Sequence, residues 1–169
     1  MSQITLWLPH TGIPGTGNEI HTTEVDLGRM IYGNIQGFRL QPAGSIVDGA
    51  SLDAGNTGFT AVLREGLIMG QVTATKKWKP FASGASDGTE IARGVLLIPT
   101  AIPNGLDIVN ASILVGGVCL EPGGLCLASS ATYGLAQSGA GATVRKHFAF
   151  AFQFSDDFMN IIGVPIAAR

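Results

Sequence analysis

Apolar positions in this chain fall in short runs broken by glycine and proline, not in the i, i+3, i+4 spacing of an amphipathic helix. GLIMGQVTAT (66–75) and IARGVLLIP (91–99) each read as a strand, and ASILVGGVCL and LCLASSATYGLA read as a hairpin about Pro122–Gly123. In HFAFAFQF (147–154), Phe148, Phe150, Phe152 and Phe154 alternate with Ala149, Ala151 and Gln153. On a strand this places the four rings on one core-facing side and leaves a small, smooth opposite side suited to packing against another strand or subunit. Helical signals are weak. TTEVDLGRMIYG (22–33) has a capping threonine and early acidic residues but contains Gly28, and SDDFMN (155–160) suits a single turn. With no periodic segment of helical length, folds built on βαβ crossovers are excluded, doubly wound sheets and TIM barrels among them. The pattern predicts a mainly β domain of short strands joined by turns, in keeping with 24 glycines and 8 prolines.

Residues 1–60 differ from the rest. Loop-like GIPGTGNE and LDAGNTG alternate with strand-like ITLWL and GFRLQ, which divides the chain into an N-terminal arm and loop-rich extension (1–60) and a β domain (61–169). In ITLWL, Ile4, Leu6 and Leu8 alternate with Thr5 and Trp7. The segment reads evenly as a strand of the domain's own sheet or as an arm that adds itself to a sheet edge of another protein.

Composition sharpens this picture. Charged residues make up 13% of the chain, against about a quarter in ordinary globular domains, so the surface is largely neutral. Hydrophobic residues reach 46% and the mean hydropathy is +0.33, yet no apolar run approaches the roughly 20 residues that span a bilayer. MSQITLWLPH lacks the basic region and long apolar core of a signal peptide, and a soluble, intracellularly made protein is expected. High apolarity then points to surface buried against other subunits. A formal net charge of -2 provides no global positive field to gather polyanions, which argues against nucleic acid as a partner.

The densest local chemistry is KKWK, where Lys76, Lys77 and Lys79 surround Trp78 ahead of a small-residue stretch and the turn pair Asp87–Gly88. Lysines around an indole can grip phosphates and stack a base. The alternative is a strand end running into a turn, with Trp78 covering the core or a subunit seam and the lysine stems lying on apolar surface. Cys119 and Cys126 flank LEPGGL; a hairpin there allows a cross-strand disulfide, which a reducing cytoplasm disfavours, and zinc lacks further ligands because His10, His21 and His147 are scattered, so the pair reads as buried reduced thiols. GIPGTG lacks the Lys-Ser/Thr of a phosphate loop, no serine sits in G-x-S-x-G, and Asp156–Asp157 are too divergent for an acid–base pair. No catalytic residue, cofactor or metal is expected, and the chain does not read as an enzyme.

From about Leu63 to Pro99, LREGLIMGQVTATKKWKPFASGASDGTEIARGVLLIP resembles the lambda-type head decoration proteins of tailed bacteriophages, in which a glycine-punctuated strand leads through a basic or aromatic segment to Ser-Asp-Gly and a second strand. SILVGGVCLEPGGL is similar to the family's next strand and turn. The resemblance implies a compact β-clip or β-tulip domain that forms homotrimers at threefold and quasi-threefold positions on the outer surface of the virion capsid, made in the host bacterial cytoplasm. It implies the major capsid protein as partner, clamped in part by an N-terminal arm, for which Ile4, Thr5, Leu6, Trp7 and Leu8 are the candidates. Lys76, Lys77, Trp78 and Lys79, with Ala149 and Ala151, are the candidate subunit or capsid contacts. The long segment before Leu63 departs from the family pattern. The other reading is a different virion-associated β module, in the tail or on a fibre, including a carbohydrate-binding one.

Overall fold

The computed structural model describes residues 4–5, 24–25, 30–32, 39–41 and 44–157. Strands β1 (Ile4–Thr5) and β2 (Glu24–Val25) form a two-stranded antiparallel ladder. Next come β3 (Ile31–Tyr32), β4 (Arg39–Leu40), β5 (Ile46–Val47), β6 (Val62–Leu63), β7 (Ile68–Gln71), β8 (Trp78–Pro80) and β9 (Ala92–Leu96). After them lie β10 (Thr100–Ala101), β11 (Ile108–Val109), β12 (Ile113–Gly116), β13 (Cys119–Leu120), the helix α1 (Gly139–Phe148) and β14 (Gln153–Phe154). The domain is mainly β, with a seven-stranded sheet ordered β11-β5-β8-β7-β9-β12-β4 and a three-stranded sheet ordered β14-β13-β3. Strands β3, β4 and β5 lie upstream of residue 61 yet pair with later strands, so the β body draws on residues assigned to the extension. Among the described residues no helix is long and apolar enough to cross a membrane.

The central strands read as continuous apolar runs because both faces of the sheet are covered. Ile68, Val95, Leu97 and Leu114 point into one core; Met69, Leu96 and Ile113, their neighbours in sequence, point into a second core with Trp78 and Cys126. The expected strands at 66–75 and 91–99 form as β7 and β9, in antiparallel register with Ile68 opposite Val95. Gly94 lies where a side chain would collide with Ile113 and the Leu114 carbonyl and crowd the Trp78 ring, so glycine there leaves the indole its place in the core.

Four expectations are corrected. The stretch 147–154 is not one strand. Phe148 ends α1, and the Phe152 and Ala151 amides both donate to the Phe148 carbonyl at 2.8 and 2.9 Å, before Gln153–Phe154 becomes extended. Spacings of two and of four coincide at Phe148 and Phe152, and alanines favour the turn, so the rings meet as a helical i, i+4 pair 4.6 Å apart. Phe148, Phe152 and Phe154 are buried, whereas Phe150 projects outward. There is therefore no smooth alanine strand face: Ala149 is the exposed C-cap of α1, and Ala151 packs partly into the first core.

Second, α1 exists although no helix of that length is predicted. Gly139 and Gly141 depress its intrinsic propensity, but Gly141 is required where the Ala136 carbonyl presses against it. Val144 and Phe148 are buried at i, i+4, and the positive charges of Arg145 and Lys146 in the last turn complement the negative end of the helix dipole. Third, the weak helical signal at 22–33 does not become a helix in its described residues, which form strands β2 and β3, whereas residues 155–157 do begin a helical turn.

Fourth, the cysteine hairpin does not form. Pro122–Gly124 is a single 3-10 turn after which the chain moves on: Cys119 pairs with Tyr32 and Gln153, while Cys126 bridges to Leu67. Leu125 belongs to the first core and Cys126 to the second, which draws this segment across the domain. The two thiols are not joined to each other, and the run LASSATYG is a loop instead of a strand.

Candidate interaction surface

KKWK sits at a hairpin. The Val72 amide donates to the Lys77 carbonyl and the Lys76 amide to the Val72 carbonyl, each at 2.9 Å, closing the β7–β8 turn with Lys76 at φ 60°. Trp78 is turned inward, 3% exposed. Its indole is therefore no stacking face for a base. Lys77 Nζ reaches Asp107 Oδ2 at 2.7 Å, and Lys79 Nζ lies 3.6 Å from Asp48 Oδ2. The Asp107 carboxyl is held below the usual carboxylate range, first by the Lys77 hydrogen bond and then by the Gly49 amide, and the same Lys77–Asp107 bond raises the lysine. Two of the three lysines thus fasten the hairpin to neighbouring loops, which leaves exposed Lys76 as the one without an ion pair among the described residues.

The chain continues into the loop that the turn pair closes. Asp87 Oδ1 accepts the Thr89 hydroxyl at 2.6 Å and the Thr89 amide at 3.0 Å, while Gly88 adopts φ 108° against Thr73, where a side chain has no room. Those Thr89 hydrogen bonds lower the Asp87 pKa. Together with residues 50–54, this loop walls an open groove of about 600 Å³ whose apolar lining includes Leu52, Pro80, Phe81, Leu127 and Ala140. The hydroxyl of Ser51, also in the groove wall, is buried without a hydrogen-bond partner among the described residues.

Behind the groove lies a charged lock that no motif announces. Arg64 makes a two-point contact with Asp53, Nε to Oδ2 at 2.6 Å and an Nη to Oδ1 at 2.9 Å, and Asp53 is fully buried. The guanidinium also donates to the carbonyls of Leu127, Ser130 and Ala131 at 3.2, 2.7 and 3.3 Å and lies over the Tyr133 ring. The Asp53 hydrogen bond, opposed by burial, raises the Arg64 pKa. One arginine thereby gathers the loop after Cys126 onto the 53–64 segment. Only the scarcity of charge in the sequence hints at it: with so few ionic residues, one inside a strand run is conspicuous.

A second clasp joins α1 to the chain beyond β14. Arg145 contacts Asp156 at 2.9 and 2.7 Å, lies 3.7 Å from Asp157 and donates to the Leu135 carbonyl at 3.2 Å, with the Phe154 ring 4.5 Å from its carbon. Asp156 and Asp157 thus both face the Arg145 guanidinium.

The cysteines differ in setting. Burial first, then the charges of Glu121, Asp156 and Asp157, push the Cys119 thiol up, which makes it a poor nucleophile. Cys126 is fully buried with its sulfur 3.7 Å from the Glu65 carbonyl. A Cys126→Ser variant is expected to fold with a loss of about 1–3 kcal/mol, since the shorter C–O bond leaves the buried hydroxyl out of hydrogen-bond reach of that carbonyl; chemical denaturation measures it, and failure to fold would show that sulfur's bulk is indispensable. Among the described residues no group of three His, Cys, Asp or Glu gathers as a metal site requires.

Of the proposed arm, Ile4 and Thr5 lie opposite Val25 and Glu24 of the same chain; Leu6, Trp7 and Leu8, like His10 and His21, are outside the described residues. The fold defines the class, a mainly β domain with little helix. No protein-family model and no curated protein matches the chain.

Proposed function

We propose that this chain is a structural virion protein that decorates the outer surface of a tailed-phage capsid, binding as a trimer at threefold and quasi-threefold positions and clamping neighbouring major capsid subunits. The observation that carries the reading is the set of large apolar side chains left exposed on a weakly charged β domain: Leu52, Phe59, Leu106, Val109 and Phe150 are each at least 60% exposed. Such side chains gain free energy only when another surface covers them. The lysine hairpin supports the same reading, because Lys77 and Lys79 spend their charge on Asp107 and Asp48 and Trp78 fills the core, an arrangement of a rigid scaffold rather than a phosphate-binding face. Repetition around a threefold site multiplies a modest contact into firm attachment through effective concentration.

The N-terminal segment supplies the clamp in this reading. Deleting residues 1–9 is expected to leave the two cores folded, because β1 pairs only with β2 among the described strands, and to weaken capsid binding by tenfold or more, roughly the gain that linked contacts provide. Circular dichroism checks the first expectation and co-sedimentation with expanded, undecorated capsids the second. Full-strength binding by the truncated chain would remove the arm from the proposal, and capsid images lacking added density at threefold sites when the intact protein is supplied would overturn the decoration reading.

A further inference from the structure

Phe150 is 102% exposed, so its ring is uncovered by the described residues. It stands on the turn that leaves α1, with alanine on either side, and small neighbours let the ring project without obstruction. The groove described above is about 600 Å³, room for a phenyl ring and its flanking backbone, and its wall includes the Phe81 ring, an edge or face partner for another aromatic. Phe150 does not line that groove. Charge matches as well. Lys146, exposed in the last turn of α1, and Arg93, exposed next to Ala92, whose amide donates to His147 Nδ1 at 3.1 Å, bring positive charge to the end of α1 from which Phe150 follows. The groove presents exposed Asp87, while its lysine, Lys79, is drawn 3.6 Å from Asp48.

We propose that Phe150 of one copy seats in the groove of a second copy, against Phe81 and Leu52, with Lys146 set toward Asp87. Every copy carries one ring and one groove, so the contact can close a dimer or a larger ring. In this contact Ala149 and Ala151 act as the low shoulders of an aromatic knob. The contact does not rest on the capsid reading and is tested without capsids.

Sedimentation equilibrium of the full chain from micromolar to millimolar concentration is expected to show association that Phe150→Ala weakens about 30-fold, as loss of a central aromatic anchor does. Because the ring is exposed, that variant should retain the native circular dichroism and denaturation midpoint. Asp87→Lys should also weaken association, and adding Lys146→Glu to it should restore at least part of the loss. A chain that stays monomeric over the whole range, a Phe150→Ala variant that associates like the parent or loses its fold, or an absence of rescue in the charge-swapped pair would each overturn the proposal.

Discussion

Replacing Asp53 by alanine is expected to lower the unfolding free energy by about 3–5 kcal/mol, the range seen when one partner of a buried ion pair is removed. The carboxylate is fully buried and engages two guanidinium nitrogens, at 2.6 and 2.9 Å, and the Arg64 amide at 3.2 Å. Without it the guanidinium keeps three carbonyl partners but has no counter-charge. The loop at residues 127–131 should then loosen together with the groove wall, because the arginine is what holds those carbonyls. Guanidinium denaturation measures the loss, and hydrogen exchange of the 127–134 amides locates it. Pairing Asp53→Leu with Arg64→Met should recover most of the stability, since replacing both members by apolar groups removes the desolvation cost along with the attraction. A single-variant loss under about 1 kcal/mol, the scale of an exposed pair, would mean that water reaches the lock.

Arg145→Ala is expected to cost about 2–3 kcal/mol, less than the Asp53 variant because Arg145 and Asp156 are 13% and 17% exposed at their side chains. The pH dependence provides a sharper signature. Burial acts to raise the Asp156 pKa, but hydrogen bonds from Arg145 and Gln137 and the arginine's charge outweigh it and hold the carboxyl below its ordinary value. A depressed folded-state pKa means that the pair's contribution is complete above about pH 4, the unfolded aspartate value, and disappears as pH falls through the folded value. Asp87 and Asp107, also held low, act in the same direction from the loop and the hairpin. Stability measured from neutral pH down to about pH 2 should therefore fall on the acid side, and Asp156→Asn should flatten part of that fall while lowering the neutral-pH plateau. An unchanged acid limb in Asp156→Asn would assign the acid sensitivity elsewhere.

The strand content was legible because it rests on local pattern. The glycine-bounded apolar runs at 66–75 and 91–99 cannot be solvated and are too short for buried helices, so a sheet is the economical way to cover them. Only the structure showed that these strands are covered on both sides, by the two cores. The turn at Asp87–Gly88 was equally local, since its hydrogen bonds run to Thr89 and its positive φ needs glycine.

What only the tertiary structure decided were choices between patterns that fit two outcomes. Phenylalanines at every second position satisfy a strand face and also a helical i, i+4 pair, and the burial of Phe148 and Phe152 in one core selected the second, expelling Phe150. Lysines beside a tryptophan suit a phosphate or an internal anchor. The positions of Asp48 and Asp107, brought alongside by folding from distant points in the chain, selected the anchor for Lys77 and Lys79. The same holds for Arg64 and Arg145, whose carboxylate and carbonyl partners come from separate segments. A lone charge in the sequence has no visible partner, because side-chain pairing depends on distance in space, and only the folded chain sets that distance.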